Sequence, residues 1–294
     1  MALTKRRRVL PRISLLALFL VGLAPAVIVA VPRAAAAATR ATSDRPDAVS
    51  GYQVHLMYVL PSDGTDRGLD ISGSIATSAG AWNKWLAGQT GGPKFRIDKY
   101  RTSTGALKSD ITFYRLSHTD AEIASSGAFV RTRIDEELSA AGFNCSNKLY
   151  AVYYDGSSTF SCGGGAWPPE LIGHVAAIYL KGTPPNTPAC STNQLAPSTS
   201  SPGYLEFAIL HEIMHTIGIV ATCALHDIDR GHVFDSSNDP MWAGKAPWVL
   251  PPRLDIGRDD YYKAGIPGCV DLAKSVFLTP TPSGAQVPPG WSTG

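Results

Sequence analysis

The feature that most constrains this chain is an apolar stretch with a His-Glu-x-x-His group locked inside it. From Tyr204 to Ile217 the sequence reads YLEFAILHEIMHTI. Leu205, Phe207, Ile209, Leu210, Ile213, Met214 and Ile217 fall on nearly every side of a 3.6-residue turn. A helix that is apolar all round is a buried helix. Ser201-Pro202 offers a serine cap followed by proline at the first helical position, and Gly218 offers a left-handed stop. The fold must therefore wrap this helix and find partners for His211, Glu212 and His215, because polar groups buried alone are strongly destabilising.

The spacing of those three groups carries chemistry. His211 and His215 lie four residues apart, so they project from one face, one turn apart. Two imidazoles placed that way can each give a nitrogen to one zinc ion. Glu212 sits about 100° round from His211, beside such an ion and not on it. That is the place for a general base acting on a metal-activated water.

His211-Glu212-Ile213-Met214-His215-Thr216-Ile217-Gly218 resembles the first part of the metzincin zinc-peptidase signature, H-E-x-x-H-x-x-G-x-x-H. The third histidine of that signature would fall at Ala221, so this chain departs from the simple pattern. Further on, Gly231-His232-Val233-Phe234-Asp235 with Met241 nine residues past the histidine looks like the matrixin arrangement. The resemblance implies His232 as third zinc ligand, with His226 as the alternative. It makes Ile219–Arg230 an insertion stapled through Cys223. Asp227, Asp229 and Asp235 are further candidates, since carboxylates also bind zinc. Met241 would form an apolar floor beneath the metal, though an ordinary core methionine reads the same way. The resemblance also implies a single metzincin-like domain, a mixed twisted sheet packed on the active-site helix with a loop-rich C-terminal part. In such folds the edge strand before the helix holds substrate by backbone pairing, a role that would fall to Gly173–Leu180.

Read without that resemblance, the chain gives strands over Tyr52–Leu60, Phe95–Tyr100, Ile111–Leu116, Leu149–Tyr154 and His174–Leu180. Helices are expected over Ile71–Ala87, closed by Gly91-Gly92-Pro93, and over Asp120–Ala141, capped by Thr119 and stopped at Gly142. Strands and two helices first, then one helix and an irregular C-terminal part, indicate one α+β or α/β domain. We place it at residues 52–278, after a lead-in at 39–51 and before a Pro/Gly/Ser tail at 279–294 expected to be mobile.

Residues 1–38 read as a secretory signal: a basic start from Lys5 to Arg12, an apolar run from Ile13 to Val31, then the alanines 34–38. An uncleaved membrane anchor is the competing reading. Of the 26 Lys and Arg, six fall in residues 1–38, which carry no Asp or Glu; the mature chain keeps 20 against 24 acidic side chains. No basic surplus remains to recruit nucleic acid. An extracellular address makes the five cysteines structural. The expected pairs are Cys223–Cys269 and Cys162–Cys190, leaving Cys145 over. The lead-in contains no cysteine, so an enzyme competent once folded, zinc-loaded and exported is expected.

Other groups read as structural. Asp63, Asp66 and Asp70 lack calcium-loop spacing. Gly163-Gly164-Gly165 lacks the lysine of a phosphate loop and reads as a turn. His55, His118 and His174 are isolated. The function indicated is a secreted zinc endopeptidase acting on protein or peptide substrates, with no nucleic acid and no membrane after signal cleavage. A catalytically silent zinc-containing binding protein and a zinc hydrolase of non-peptide amides are the alternatives. The oligomeric state is not fixed by the sequence.

Overall fold

Alternation along the apolar strands determines the architecture. In β1 (Gln53–Leu60), Val54, Leu56, Tyr58 and Leu60 face one core, while Met57 and Val59 face a second. The same two-residue period divides β6 (Lys148–Tyr154) and β8 (Val175–Tyr179). All three strands are buried along their whole length, so the sheet is covered on both faces. The computed structural model describes residues 40–185, 188–242 and 248–291. The segment assigned as a signal, 1–38, lies outside the described residues.

The main sheet has five strands in the order β5-β1-β6-β8-β7, with β5 at Ile111–Arg115 and β7 at Gly163–Gly164. The first four run parallel and β7 runs antiparallel to β8, which makes the sheet mixed and the class α+β. On one face lie α1 (Ser74–Thr90) and α4 (Tyr204–Thr216), sharing a core of Trp82, Leu86, Ile209 and Ile213 with the sheet. On the other lie α2 (Asp120–Ala124) and α3 (Val130–Ala140), through Ile123, Val130, Ile134 and Leu138. Each such side chain, fully buried, contributes about 1.5–3 kcal/mol.

Several elements differ from expectation, each for a local reason. The single helix expected over Asp120–Ala141 is broken: a turn of 3-10 helix at Gly127–Phe129 separates α2 from α3, and Gly127 sits at φ 56. Thr119 caps α2 in a capping box with Glu122, as expected. The strand expected at Phe95–Tyr100 is two, β2 (Lys94–Phe95) and β3 (Lys99–Arg101), because Asp98 turns inward to a buried partner. Strand β3 pairs with β4 (Leu107–Ser109) in a hairpin. Beyond α4 the described chain is loop with a 3-10 turn at Leu272–Lys274 and three short strands, β9 (Asp227–Ile228), β10 (His232–Val233) and β11 (Leu278–Thr279). The described part of the stretch read as a tail, 279–291, packs on the body: β11 pairs with β2, and Trp291 is buried against Phe277 and stacked on His174. Indole burial of that kind is large enough to hold a Pro/Gly-rich segment in place.

Disulfides join Cys162 to Cys190 and Cys223 to Cys269, and Cys145 is free and exposed, as the sequence suggested. No helix among the described residues is long and apolar enough to cross a membrane.

Candidate metal centre and its cleft

Helix α4 begins at Tyr204, not at the Ser201-Pro202 start expected. Its cap is the carboxylate of Glu206, which accepts from the Gly203 N–H (2.9 Å) and also from the Ser78 hydroxyl (2.6 Å) and the Ala196 N–H (2.9 Å). Three donors satisfy this fully buried acid, which locks the rotation of α4 against α1. Gly218 takes φ 78 and ends the helical run, as expected.

The rotation so fixed aims His211 and His215 at one point, and His232 on β10 completes it. The Nε2 of His215 lies 2.9 Å from that of His211 and 3.2 Å from that of His232. His211 Nδ1–H donates to the Pro240 carbonyl (2.7 Å) and His232 Nδ1–H to the Asp229 carbonyl (2.8 Å). A carbonyl only accepts, so both Nδ1 atoms carry the proton and both Nε2 lone pairs are free. The Nδ1 of His215 is buried with no partner among the described residues.

Electrostatics keep the rings neutral. Burial, with His232 adding repulsion, pushes His211 down to about 3. Burial and then the two neighbouring rings hold His215 well below the usual range, and burial lowers His232. Glu212 is pushed up to about 8 by burial, partly countered by Arg131 and by the Gly165 N–H. Converging lone pairs on neutral rings repel one another unless a cation lies between them. The donor set is that of zinc with three imidazoles, two of them oriented through Nδ1–H by backbone carbonyls. The residues present fit a divalent metal.

The third member is held by the chain around Met241. Val233 N–H donates to the Met241 carbonyl (2.9 Å), so β10 and the methionine turn are joined directly. Met241 is fully buried. Its N–H donates to Asp239 (2.7 Å), which also accepts from the Tyr261 hydroxyl (2.8 Å) and is pushed up to about 7 by burial. The sequence reading missed Asp239 and Tyr261. The only available signal was an aspartate two residues before a methionine, which is not enough to show a clamp.

The structure brings His232, and not His226, to the helical pair. His226 is held by Asp260, to which it gives its backbone N–H (2.7 Å), with Nδ1 3.0 Å from the second oxygen. Asp227 and Asp235 lie in the same acidic loop region, each raised first by burial and then by neighbouring carboxylates. His55 is buried between Asp98 and Thr112, His118 pairs with Glu137, and Asp66 and Asp70 bind Arg40.

A cleft of about 960 Å³ opens over the histidines and Glu212. Along it runs Gly163-Gly164-Gly165, which corrects the reading of these glycines as a turn. Residues 163 and 164 form β7, the edge strand, and β8 at Val175–Tyr179, expected at the edge, is covered by it. A Cβ on Gly163 would stand 2.6 Å from Glu212 Oε1, and one on Gly165 2.5 Å from the Glu212 carbonyl. The Gly165 clash is with backbone, and a Gly163 Cβ would also stand 2.8 Å from the Ala177 carbonyl, so glycine is what lets this segment lie against the helix. Thr216 latches the two, its hydroxyl donating to the Glu212 carbonyl (2.8 Å) and accepting from the Ala166 N–H (3.2 Å).

No family model and no curated protein matches the chain. Among solved structures it is similar to a catalytically inactive OgpA from Akkermansia muciniphila in complex with an O-glycopeptide (glycodrosocin) substrate. The TM-score is 0.31 and the identity 13%, over 58% of this chain and 49% of that one. The chain thus spans about half the length of that protein, and a likeness this slight says nothing of chemistry.

Proposed function

We propose that this chain is a secreted, metzincin-like zinc endopeptidase. The observation that carries the reading is the meeting of three imidazole Nε2 atoms beside a buried glutamate, in a cleft bordered by a free sheet edge. His211, His215 and His232 would hold the zinc. When bound, zinc supplies Lewis-acid polarisation of the reacting oxygens and stabilises the charge that develops there.

The rest is done by the chain. Glu212, adjacent to the ligands and reached by the Gly165 N–H, takes a proton from the attacking water and delivers it to the leaving amine nitrogen. Burial raises its basicity, which favours the first transfer. Strand β7 carries no side chains, so an extended peptide can approach and pair with its backbone. Two disulfides are consistent with an oxidising destination.

Metal content tests this directly. The full chain carrying Glu212→Ala, which cannot digest itself, should bind about one zinc per chain, the stoichiometry of a catalytic three-ligand site. A folded protein with no zinc would sink the reading.

A further inference from the structure

The last carbonyls of a helix must find donors outside its regular ladder, and in α4 they belong to Ile213, Met214, His215 and Thr216. The turn at Gly218 satisfies three of them. Ile217 N–H reaches the Ile213 carbonyl (3.2 Å), Ile219 N–H that of Met214 (3.0 Å), and Gly218 N–H that of His215 (2.8 Å). The fourth, on fully buried Thr216, accepts from the indole Nε1–H of Trp291 at 3.1 Å, 75 residues away in sequence. A buried carbonyl needs a donor, and this one is supplied by the far end of the described chain.

The indole is itself held firmly. It is buried, stacks on His174 with ring centroids 4.3 Å apart at 10°, and meets Phe277 edge-on at 4.9 Å. Packing alone would be served by any large ring. A tryptophan has a single donor and no acceptor, and here that donor is aimed at Thr216. What Thr216 holds gives the contact its weight. It follows His215 in the chain, and its hydroxyl joins the Glu212 carbonyl to the Ala166 N–H beside the glycine edge strand.

We infer that Trp291 is a positioning residue: its indole N–H fixes the end of α4, and through Thr216 the setting of His215 and of the segment at 163–166. The inference rests on the zinc reading above for the role of His215, while the contact with the helix end stands on its own. A segment whose composition reads as a loose tail thereby becomes part of the support of the metal centre.

Trp291→Phe keeps a ring against His174 and removes the N–H. In the full chain carrying Glu212→Ala it should weaken zinc binding about tenfold, the low end for a group that orients a ligand from outside. The visible bands of the cobalt-loaded chain, which follow ligand geometry, should shift with it. Amide exchange over 163–166 and 213–219, measured without metal by mass spectrometry, should quicken roughly tenfold, the scale of one lost hydrogen bond. Thr216→Val, which leaves the indole in place, should quicken 163–166 alone. Lys148→Met weakens the fold elsewhere and should leave zinc affinity unchanged, which tells a general loss of stability from a shifted ligand. Native zinc affinity in Trp291→Phe overturns the positioning role, whatever the exchange shows. If the Glu212→Ala parent binds no zinc, the reading above falls; native exchange in Trp291→Phe then overturns the inference too, and quickened exchange upholds the fixing of the helix end.

Discussion

Of the three clusters among the described residues that bring metal-ligand atoms close together, the two most buried differ in a way that shows what a metal-seeking site looks like. His211, His215 and His232 form one; Asp44, His55, Asp98 and Asp110 form the other. In each, the ligand-type atoms lie within 4.8 Å of one another. Proximity therefore does not separate them. What separates them is the company. Between β1 and the lead-in, His55 Nδ1 lies 2.7 Å from Asp98 and its Nε2 2.9 Å from the Thr112 hydroxyl. The Lys148 ammonium contacts Asp44, Asp47 and Asp98 at 2.6, 2.6 and 2.8 Å, and Arg45 binds Asp110 at 2.7 Å. Acceptors there meet cations supplied by the chain. On α4, bases meet bases, and the cation must come from outside.

The sharpest way to break this contrast is at Glu212, which stands beside the α4 histidines without being a ligand. Glu212→Gln should lower peptide turnover by a factor of about 10²–10⁴, the range for a positioned general base, while zinc content is unchanged. His211→Ala should instead lose the metal. A Glu212→Gln enzyme that kept most of its turnover would remove the glutamate from the chemistry.

The next effect is on stability and belongs to the His55–Asp98–Lys148 cluster. Lys148→Met leaves Asp98 buried and short of a cation, a loss of about 3–5 kcal/mol, to be read by denaturant unfolding. Zinc binding by the folded fraction should not change. Burial pushes Asp98 up, but the hydrogen bonds from His55 and Lys148 outweigh it and hold the carboxyl below its ordinary value. A lowered folded value makes the contribution present above the unfolded pKa of about 3.9 and lost as the pH falls through the folded one. The acid limb of the stability curve should therefore flatten in Asp98→Asn. An unchanged acid limb would mean that the carboxyl titrates alike in both states.

The same cluster holds the lead-in. The Phe113 N–H donates to the Ala41 carbonyl at 2.8 Å, and Asp44, Arg45 and Asp47 reach the buried pairs. Removing residues 1–48 should cost about 1–3 kcal/mol, the penalty of leaving Lys148 and Asp110 short of partners. Removing residues 1–38 should cost nothing measurable. Equal stability of the two truncations would show that the strap contributes nothing to the fold.

What the sequence revealed follows the same division. The α4 residues were legible because burial, spacing and chemistry coincide on one short stretch, and His232 followed from the methionine turn. The two cysteine pairs match those expected, although spacing alone does not fix connectivity. The glycine edge strand was not legible. Glycine has little strand propensity, and the reason for Gly163 and Gly165 is the carboxylate and backbone of Glu212, about fifty residues away in sequence. The break at Gly127 and the inward turn of Asp98 were lost for a similar reason. Each is set by a tertiary partner, and a local pattern does not contain its partner.

The smallest effect separates the two candidate third ligands. His226 pairs with Asp260, whose carboxylate raises the imidazole above its ordinary value. A raised folded pKa gives stability that is fully present below the unfolded value near 6.5 and lost as the pH rises through the folded one. With His226 still partly open to solvent, the pair is worth about 0.5–1 kcal/mol. His226→Ala should therefore destabilise the fold slightly at pH 6, by less at pH 8, and leave zinc affinity unchanged. His232→Ala should do the reverse, with zinc affinity falling steeply at either pH because a third nitrogen is gone. Side-by-side zinc titrations of the two variants in the Glu212→Ala background decide the matter. If His226→Ala lost the metal and His232→Ala kept it, the distinction between paired and unpaired histidines would fail where it is most easily checked.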